Sequence, residues 1–375
     1  MENLAMNAFR DAYRGKRILL TGHTGFKGSW LSEWLIRLGA EVHGLSLDPS
    51  GSSMLFERLG LATRLKHRVG DIRSLACVRA AVDSVAPNFV FHLAAQSLVR
   101  FSYEQPVETY ATNVLGTVHV LEAVRLAARP CVIIAVTTDK CYENREWVHS
   151  YREEDQMGGF DPYSSSKGAA ELAIAAYRNS YFSAAGSRLY LASARAGNVI
   201  GGGDWASDRI MPDCVRCLER GDKIPVRNPA ATRPWQHVLE PLGAYLHLGA
   251  VLHRALAAGS IGLPLRSAFN FGPALESNRC VADFVREVLK HWPGSWADCS
   301  DPDAHHEAKL LNLATDKAYH LLQWRPVWSF EEAVRQTVRW YRDCPIDAAE
   351  ASRFTQDQIA EYMQQAHAQG LAWTE

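Results

Sequence analysis

The sequence predicts a doubly wound α/β fold, in which a parallel sheet is combined with a smaller and mostly helical lobe. In the first half of the chain, short β-rich runs alternate with stretches whose apolar residues are spaced three to four apart. Such alternation implies right-handed crossovers and helices on both faces of a parallel sheet. After Gly197 the alternation stops, glycine, proline and aromatic residues become frequent, and helical patterns dominate.

Six strands are predicted in the first half and one in the second. The runs at 90–93 and 132–136 are apolar at successive positions, as expected of strands that are buried on both faces. We expect the late strand to return to the main sheet. The predicted strands are residues 17–21, 41–47, 65–71, 88–94, 131–138, 190–196 and 267–272.

The helical patterns divide the chain into two interleaved parts. We expect one domain over residues 1–197, with return segments near 235–272, and a second lobe over residues 198–375. The second lobe should end in a polar, amphipathic helix spanning 345–375. The predicted helices are residues 29–38, 74–85, 114–128, 163–184, 208–220, 237–258, 281–291 and 330–342.

Composition excludes several classes of function. The 375 residues carry 40 Lys and Arg against 41 Asp and Glu, for a net charge of −1, without the clustered basic surplus of a nucleic-acid binder. The N-terminus is charged and lacks the apolar run of a secretory signal. Histidines and an arginine interrupt the most apolar stretch, 242–258, so no membrane span is expected. We therefore expect a cytoplasmic protein.

The eight cysteines predict neither a metal nor a disulfide site. Cys214 and Cys217 form a CxxC pair, but no second pair lies at zinc-site spacing. The surrounding segment is helical in pattern, so we interpret the two thiols as small packing side chains one turn apart. Reduced thiols and no bound metal are expected.

A glycine-rich turn between the first strand and the first helix predicts a dinucleotide site of the Rossmann type. The segment GHTGFKG, with Gly22, Thr24, Gly25, Phe26 and Gly28, would let backbone amides at a helix N-terminus approach a pyrophosphate. Its spacing is GxxGxxG instead of GxGxxG, and a tight structural turn is the alternative interpretation.

Asp48, at the end of the second predicted strand, favours NAD over NADP. A carboxylate 20 residues after Gly28 can accept hydrogen bonds from the adenosine ribose, and it repels a 2′-phosphate. No Arg or Lys occurs at 44–54. A turn residue before Pro49 is the alternative for Asp48.

The ends of the third and fourth strands should complete the cofactor cleft, because ligands bind outside the carboxyl ends of parallel strands. Asp71 and Ile72 are expected near the adenine. The residues expected along the cleft after the fourth strand are Ala94, Ala95 and Gln96, and Gln96 is also a candidate for binding substrate.

Two short motifs predict oxidation of a hydroxyl group. Tyr163 and Lys167 lie four residues apart at the start of a predicted helix, so both project from one face. The lysine cation, helped by a positive nicotinamide, would lower the tyrosine pKa and produce a base. Thr138, Asp139 and Lys140 follow the fifth strand, which places a hydroxyl, a carboxyl and an amine at the same rim. By itself, either motif would be a solvated helix face or a turn.

Several segments together resemble the extended short-chain dehydrogenases/reductases. They are TGHTGFKG, FHLAAQ, TNVLGTVHVLEA, TTDKCYEN, PYSSSK and RAGNVIGGGDW, and the resemblance runs from about residue 16 to residue 342. In that superfamily a Thr-Asp-acid trio is typical of nucleotide-sugar 4,6-dehydratases, whereas simple 4-epimerases lack the second and third members. The segments GHTGFKGSWL and GGGDWASDRIMPD, with Asp-Lys after the threonine, are similar to the subfamily that acts on CDP-glucose.

The resemblance implies an NAD-dependent dehydration with defined roles for these residues. Thr138 would bind the sugar 4-hydroxyl, and Tyr163 would deprotonate it as hydride leaves C4. Asp139 would protonate the departing 6-hydroxyl, and the hydride would return to C6 to give CDP-4-keto-6-deoxyglucose. Lys140 stands where relatives have a glutamate base. Neutral, it would take the C5 proton; charged, it would stabilise the enolate.

The second lobe should bind the nucleotide sugar. Asn198, Arg209 and Arg233 are candidates for holding its diphosphate, with surface salt bridges as the alternative for the two arginines. Trp205 is a candidate wall of the sugar pocket, and Gly201–Gly203 either approach the nucleotide or form a turn. His23 and His92 are interpreted as packing or local hydrogen-bonding residues and not as catalytic ones.

The resemblance also implies a homodimer or homotetramer, paired through helices near 103–127 and 163–184, and a pathway to dideoxy sugars of bacterial surface polysaccharide. Three alternatives stay open. They are a 4,6-dehydratase of dTDP-glucose or GDP-mannose, a sugar-nucleotide 4-epimerase, and a non-catalytic NAD-sensing protein on the same fold.

Overall fold

A seven-stranded parallel sheet organises the computed structural model, which describes residues 8–49, 54–184, 186–260, 263–300 and 310–374. In chain order the strands are β1 (Arg17–Thr21), β2 (Glu41–Ser46), β3 (Lys66–Val69), β4 (Phe89–His92), β5 (Cys131–Thr137), β6 (Leu189–Arg195), β7 (Val199–Ile200), β8 (Ile224–Val226), β9 (Thr232–Pro234), β10 (Gln236–His237), β11 (Ala268–Asn270), β12 (Asn278–Cys280) and β13 (Trp296–Asp298). The sheet order is β11-β6-β5-β4-β1-β2-β3. The predicted doubly wound α/β fold is confirmed.

The strands of this sheet are buried on both faces because their alternate residues enter two separate cores. In β1, Ile18 and Leu20 belong to one apolar cluster, whereas Leu19 belongs to the cluster on the other face. All four residues of β4 are buried. The apolar runs predicted at 90–93 and 132–136 therefore have the packing expected of central parallel strands.

Helices cover both faces of the sheet and, with three two-stranded sheets, form most of the remaining described chain. They are α1 (Phe26–Arg37), α2 (Met54–Arg58), α3 (Leu75–Val85), α4 (Val99–Glu104), α5 (Pro106–Tyr110), α6 (Gly116–Ala127), α7 (Pro162–Tyr177), α8 (Ile210–Arg220), α9 (Leu239–Ala257), α10 (Val281–His291), α11 (Asp316–Leu322), α12 (Phe330–Asp343) and α13 (Ala348–Ala368). Several boundaries differ from the predictions by a few residues. In one case, the first residues of the predicted helix 114–128 belong to a π-helical segment, Ala111–Leu115.

The strand predicted at 267–272 returns to the main sheet, as expected. β11 pairs in parallel with β6 at the edge of the sheet. α9 contributes Leu242 and Leu246 to the core on one face. α13, the predicted C-terminal helix, packs on α1, where the rings of Tyr362 and Trp34 meet edge to face at 5.7 Å. Glu375, the last residue of that predicted helix, lies outside the described residues.

The second lobe has its own apolar cluster, formed mainly by α8, α10 and α12. Cys214 and Cys217 lie buried in that cluster, which confirms their interpretation as packing side chains. All eight cysteines are free thiols. Within the described ranges, no three His, Cys, Asp or Glu side chains are grouped so that they could hold a metal, and no helix is long and apolar enough to span a bilayer.

Candidate active site

A cavity of about 860 Å³ runs along the carboxyl ends of the parallel strands and is closed on one side by the second lobe. Its position fits the rule that ligands of doubly wound sheets bind where the strand order reverses, here between β1 and β4. The sequence-predicted residues that line it are Gly22, Thr24, Gly25, Phe26, Gly28, Asp48, Asp71, Ile72, Ala94, Ala95, Thr138, Asp139, Lys140, Tyr163, Lys167, Asn198, Arg209 and Arg233.

The glycine turn fits a bound pyrophosphate because one of its glycines has no structural need to be glycine. Gly22 has a φ of +74°, and a Cβ there would lie 2.7 Å from the Ala94 nitrogen. A Cβ at Gly28 would lie 2.1 Å from the Gly22 oxygen. At Gly25 a Cβ would meet only that oxygen, at 3.4 Å. Gly25 lines the cavity as the N-cap of α1 and has no side-chain cap, so free amides of the helix face the space where a phosphate would lie.

Two acidic residues follow β2 and β3 at the same end of the cavity. Asp48 lines the cavity and is exposed, as a carboxylate that binds a ribose must be. Asp71 is engaged by the protein: its carboxylate accepts hydrogen bonds from the Arg73 backbone and from the Arg73 Nε, each at 2.8 Å. Asp71 therefore shapes the turn after β3.

The end of β5 presents a threonine and an aspartate as a connected pair. Thr138 caps a short 3₁₀ turn, and its hydroxyl donates to Asp139 Oδ1 at 2.9 Å. Asp139 is only 1% exposed, and its Oδ2 has no hydrogen-bond partner within the described residues. This carboxylate packs against Gly197, where a Cβ would lie 1.8 Å from Oδ2. Asp139 Oδ2 is thus a buried oxygen that the described residues leave without a hydrogen bond.

Tyr163 and Lys167 enter the same cavity from the first turns of α7. Asp161 caps this helix by accepting a hydrogen bond from Ser164 N at 2.9 Å, and Pro162 occupies the first turn, which orients both side chains. Burial lowers the pKa of Lys167 to about 8. Burial raises the pKa of Tyr163 to about 12, although a hydrogen bond with Thr138 acts to lower it.

The direction of the Tyr163 pKa shift differs from the one expected from the Tyr-Lys pairing. Desolvation outweighs the lowering contributions from Thr138 and the Arg209 charge, and Asp139 adds a raising one. The protein groups by themselves therefore hold the phenol protonated. In the sequence interpretation the lowering also depends on the positive nicotinamide, whose charge would act on the same buried phenol.

A lysine that the sequence analysis did not single out lines the same cavity. Lys27 follows Phe26 in the first turn of α1, and its ammonium makes no hydrogen bond or ion pair with the described residues. Burial lowers the pKa of Lys27 to about 8, and the charges of Arg209 and Asp139 also act on it. The only sequence signal for this residue was its place inside the glycine turn.

The predicted substrate-binding residues line the cavity, but some are already engaged. Arg209 forms an ion pair with the buried Asp204, from Nη1 to Oδ2 at 2.8 Å, so the salt bridge weighed as an alternative is present. Arg233 Nη1 donates to the Thr232 carbonyl at 2.8 Å. Asn198 has a φ of +37°, and its carbonyl accepts from the Gln236 backbone at 3.3 Å.

Two candidates do not reach the cavity. The Gln96 amide donates to the Leu98 carbonyl at 3.1 Å and to the Thr109 hydroxyl at 2.9 Å, which gives Gln96 a structural role in the loop after β4. Trp205 packs edge to face against Tyr341 at 5.3 Å within the second lobe. Trp235 lines the cavity instead.

Packing accounts for two of the three consecutive glycines and for both histidines. A Cβ at Gly202 would lie 2.0 Å from Trp340, and one at Gly203 would lie 2.5 Å from Leu55. His92 bonds the Thr21 and Thr117 hydroxyls, at 2.7 and 3.0 Å, and burial lowers its pKa to about 3. His23 bonds a neighbouring histidine at 2.7 Å. The interpretation of both histidines as local hydrogen-bonding residues is confirmed.

The sequence places the chain in a known enzyme family. Residues 19–248 match the family model described as GDP-mannose 4,6 dehydratase. The chain belongs to the GDP-mannose 4,6-dehydratase family. CDP-glucose 4,6-dehydratase of Salmonella typhimurium strain LT2 is 46% identical over 337 residues, which cover 89% of this chain and 92% of that enzyme.

Solved structures agree with membership of the GDP-mannose 4,6-dehydratase family. A dTDP-glucose 4,6-dehydratase from Streptomyces venezuelae, with NAD bound, has a TM-score of 0.72 and 25% identity, covering 87% of this chain and 97% of that one. UDP-glucose 4-epimerase of Thermotoga maritima has a TM-score of 0.69 at 21% identity, covering 87% and 98%. Because an epimerase has the same fold, the dehydratase function must be argued from the residues in the cavity.

Proposed function

We propose that this protein is an NAD-dependent hydro-lyase that converts CDP-glucose into CDP-4-keto-6-deoxyglucose and water. The observation that carries the proposal is that Thr138, Asp139 and Lys140 share one cavity with Tyr163 and Lys167. A 4-epimerase has no use for an acid and an amine beside the oxidising pair, and an NAD sensor has no use for the pair itself. The 46% identical relative, which is a CDP-glucose 4,6-dehydratase, supports the choice of nucleotide.

The cofactor is held by the ends of the first four strands. The free amides in the first turn of α1, beginning at Phe26, bind the pyrophosphate, and Asp48 accepts from the adenosine ribose. Asp71 and Ile72 border the adenine, and Ala94 and Ala95 line the cleft towards the nicotinamide. When bound, NAD supplies reversible hydride acceptance, so that C4 of the sugar is oxidised and C6 is later reduced within one turnover.

Tyr163 and Thr138 act on the 4-hydroxyl. Thr138 orients that hydroxyl from the end of β5, and the Tyr163 phenolate takes its proton as the C4–H bond breaks. The Lys167 ammonium, on the same face of α7, favours the phenolate electrostatically. The new 4-ketone makes the C5 proton acidic.

Asp139 and Lys140 promote the elimination of water from C5 and C6 of the sugar. Asp139 gives a proton to the 6-hydroxyl, which leaves as water while the C5 proton is removed and a C5–C6 double bond forms. Lys140 serves this step at C5, as the base when neutral or as the cation that stabilises the enolate when charged. Hydride addition at C6 and a proton at C5 complete the product, so the atoms lost are those of one water molecule.

The second lobe binds the nucleotide. Arg233, Asn198 and Arg209 are proposed to hold the diphosphate, with Arg209 oriented by Asp204. We also propose a cytoplasmic location, because all eight cysteines are free thiols, as is usual in a reducing compartment.

Turnover across a panel of nucleotide sugars tests the function. The purified protein, supplied with NAD, is incubated with CDP-, dTDP- and UDP-glucose and GDP-mannose, and 4-keto-6-deoxy products are measured. CDP-glucose should give the highest kcat/KM, and Tyr163→Phe should abolish oxidation at C4. Preference for another nucleotide would move the protein to a different 4,6-dehydratase activity. Inversion of the configuration at C4 without loss of water would make the protein an epimerase.

A further inference from the structure

A buried carboxylate that is not itself part of the cavity lining lies directly behind the catalytic residues. Glu171 is on α7, one turn after Lys167, and is 3% exposed. Its Oε2 accepts hydrogen bonds from Ser193 Oγ and from Arg195 Nη2, each at 2.8 Å. Its Oε1 accepts from the Thr137 hydroxyl. Glu171 therefore joins α7 to the carboxyl ends of β5 and β6.

The partner of Glu171 is fixed in turn by residues that follow β5 in the chain. Arg195 Nη1 donates to the Tyr142 hydroxyl at 2.7 Å and to the Glu153 carbonyl at 2.9 Å. Tyr142 donates to Asn270 Oδ1, in β11, at 2.7 Å. The Arg195–Glu171 pair is thus a buried, charge-assisted contact with little freedom to rearrange.

Glu171 acts on both catalytic motifs. The hydroxyl it holds belongs to Thr137, which immediately precedes Thr138 and Asp139. Its negative charge is the largest influence that opposes the lowering of the Lys167 pKa by burial. The buried thiol of Cys141 acts on the Lys167 pKa in the same direction, and the charge of Lys167 in turn lowers the pKa of His92 and of Lys27.

We propose that Glu171, held by Arg195, is a positioning residue that fixes the Thr137–Asp139 segment against α7 and keeps Lys167 in its ammonium form beside Tyr163. The inference rests on the proposed function, since it assigns a role within that reaction. Glu171 contacts neither substrate nor cofactor, and its effect passes through Lys167 and Thr137.

The test is the pH dependence of kcat with CDP-glucose for Glu171→Gln and Glu171→Asp. Loss of the charge in Glu171→Gln should lower kcat more than 10-fold and change KM less than about 3-fold. The alkaline limb of the profile of kcat against pH should move to lower pH by about one unit. The limb moves in that direction because Lys167 then loses its proton more readily. Glu171→Asp shortens the side chain, so its kcat should fall. Because this variant keeps the negative charge, the alkaline limb of its pH profile should stay at the wild-type pH.

Three further variants separate this role from general destabilisation. Glu33→Gln is the matched control, because Glu33 is also fully buried and paired with an arginine, Arg64, outside the cavity lining. Its limb should not move. If Glu171→Gln does not fold because it leaves Arg195 uncompensated, the neutral pair Glu171→Gln with Arg195→Gln takes its place. If this pair does not fold either, Thr137→Val must lower kcat at unchanged KM.

The outcomes distinguish the two proposals. A folded Glu171→Gln enzyme whose limb stays at the wild-type pH overturns the positioning role, as does a Glu33→Gln control that shifts by the same amount. A Thr137→Val variant with wild-type kcat also overturns it. If the wild-type protein does not turn over CDP-glucose in the same assay, the proposed function fails instead.

Discussion

At the scale of single residues, the two oxygens of Asp139 have different surroundings. Oδ1 accepts from Thr138, and Oδ2 is buried without a partner in the described chain. Asp139→Asn should keep the contact with Thr138 but lose the proton donor. Oxidation at C4 should persist while release of water slows by about 100-fold or more, the usual contribution of a general acid. Single-turnover measurement of oxidation and of product checks this. Unimpaired dehydration would show that another group is the acid.

Gly197 supports Asp139 by leaving it room. Gly197→Ala would place a Cβ 1.8 Å from Asp139 Oδ2, so the carboxylate must move while the backbone keeps its path. We expect kcat to fall at least 10-fold with the fold retained, since displacement of a catalytic group by about 1 Å can cost about 100-fold in rate.

The matched control for Gly197 is Gly272→Ala. The nearest atom to a Cβ at Gly272 is Leu313 Cβ, at an ordinary 3.5 Å. This variant should have wild-type kcat, measured with CDP-glucose alongside circular dichroism. Equal losses in the two alanine variants would point to a general effect on the fold instead of displacement of Asp139.

At the scale of elements, a buried carboxylate joins three segments that are distant in sequence. Glu240, in the first turn of α9, accepts hydrogen bonds from the backbone amides of Val327 and Trp328, the latter at 2.8 Å. It also accepts from the Tyr362 hydroxyl of α13 at 2.8 Å. Burial raises the pKa of Glu240 to about 7, although these bonds act to lower it. The C-terminal helix is therefore attached through a group that titrates near neutrality.

Glu240 should make the stability of the protein depend on pH. Its folded pKa of about 7 exceeds the ordinary value of 4.5, so its contribution is fully present below about pH 4.5 and is lost as pH rises through 7. The loss should be about 3 kcal/mol in the free energy of unfolding. Urea unfolding of wild type and Glu240→Gln between pH 5 and pH 8 (roughly the range of maximal stability) measures the difference. Parallel stability curves would contradict the prediction.

At the scale of the whole molecule, apolar side chains are exposed on the helices expected to form a homodimer. Val107 of α5 is 82% exposed and Leu172 of α7 is 62% exposed, and Leu115, Leu126 and Tyr181 add to the same set of helical segments. Surface of this kind favours burial against another protein. We propose a second copy of the chain as that partner, paired through α4–α7.

Sedimentation tests this assembly. The wild type should sediment as a dimer or tetramer, and Leu172→Lys should dissociate it, because a charge would be buried at the interface. Leu275→Lys is the matched control, since Leu275 is 67% exposed and lies outside these helices. A monomeric wild type, or equal dissociation by both variants, would exclude pairing through α7.

Local patterns accounted for most of the fold and for the main elements of the candidate site. β1 and α10 have the predicted boundaries, because strand and helix periodicities depend on neighbouring residues. The glycine turn, the Thr138–Lys140 segment and the Tyr163–Lys167 pair lie at the ends of predicted elements, and parallel topology brings such ends to one edge. These features follow from short-range spacing together with one topological rule.

What the sequence by itself determined is which strands form the main sheet and which of their ends meet at the cavity. Only the tertiary structure decided how the polar groups pair. Gln96 turns into its own loop, Arg209 pairs with Asp204, and Arg195 pairs with Glu171 behind the site. Likewise, only the tertiary structure places the Lys27 side chain in the lining of the cavity. Partner choice and desolvation depend on side chains that packing brings together from distant segments, and this information is absent from local spacing.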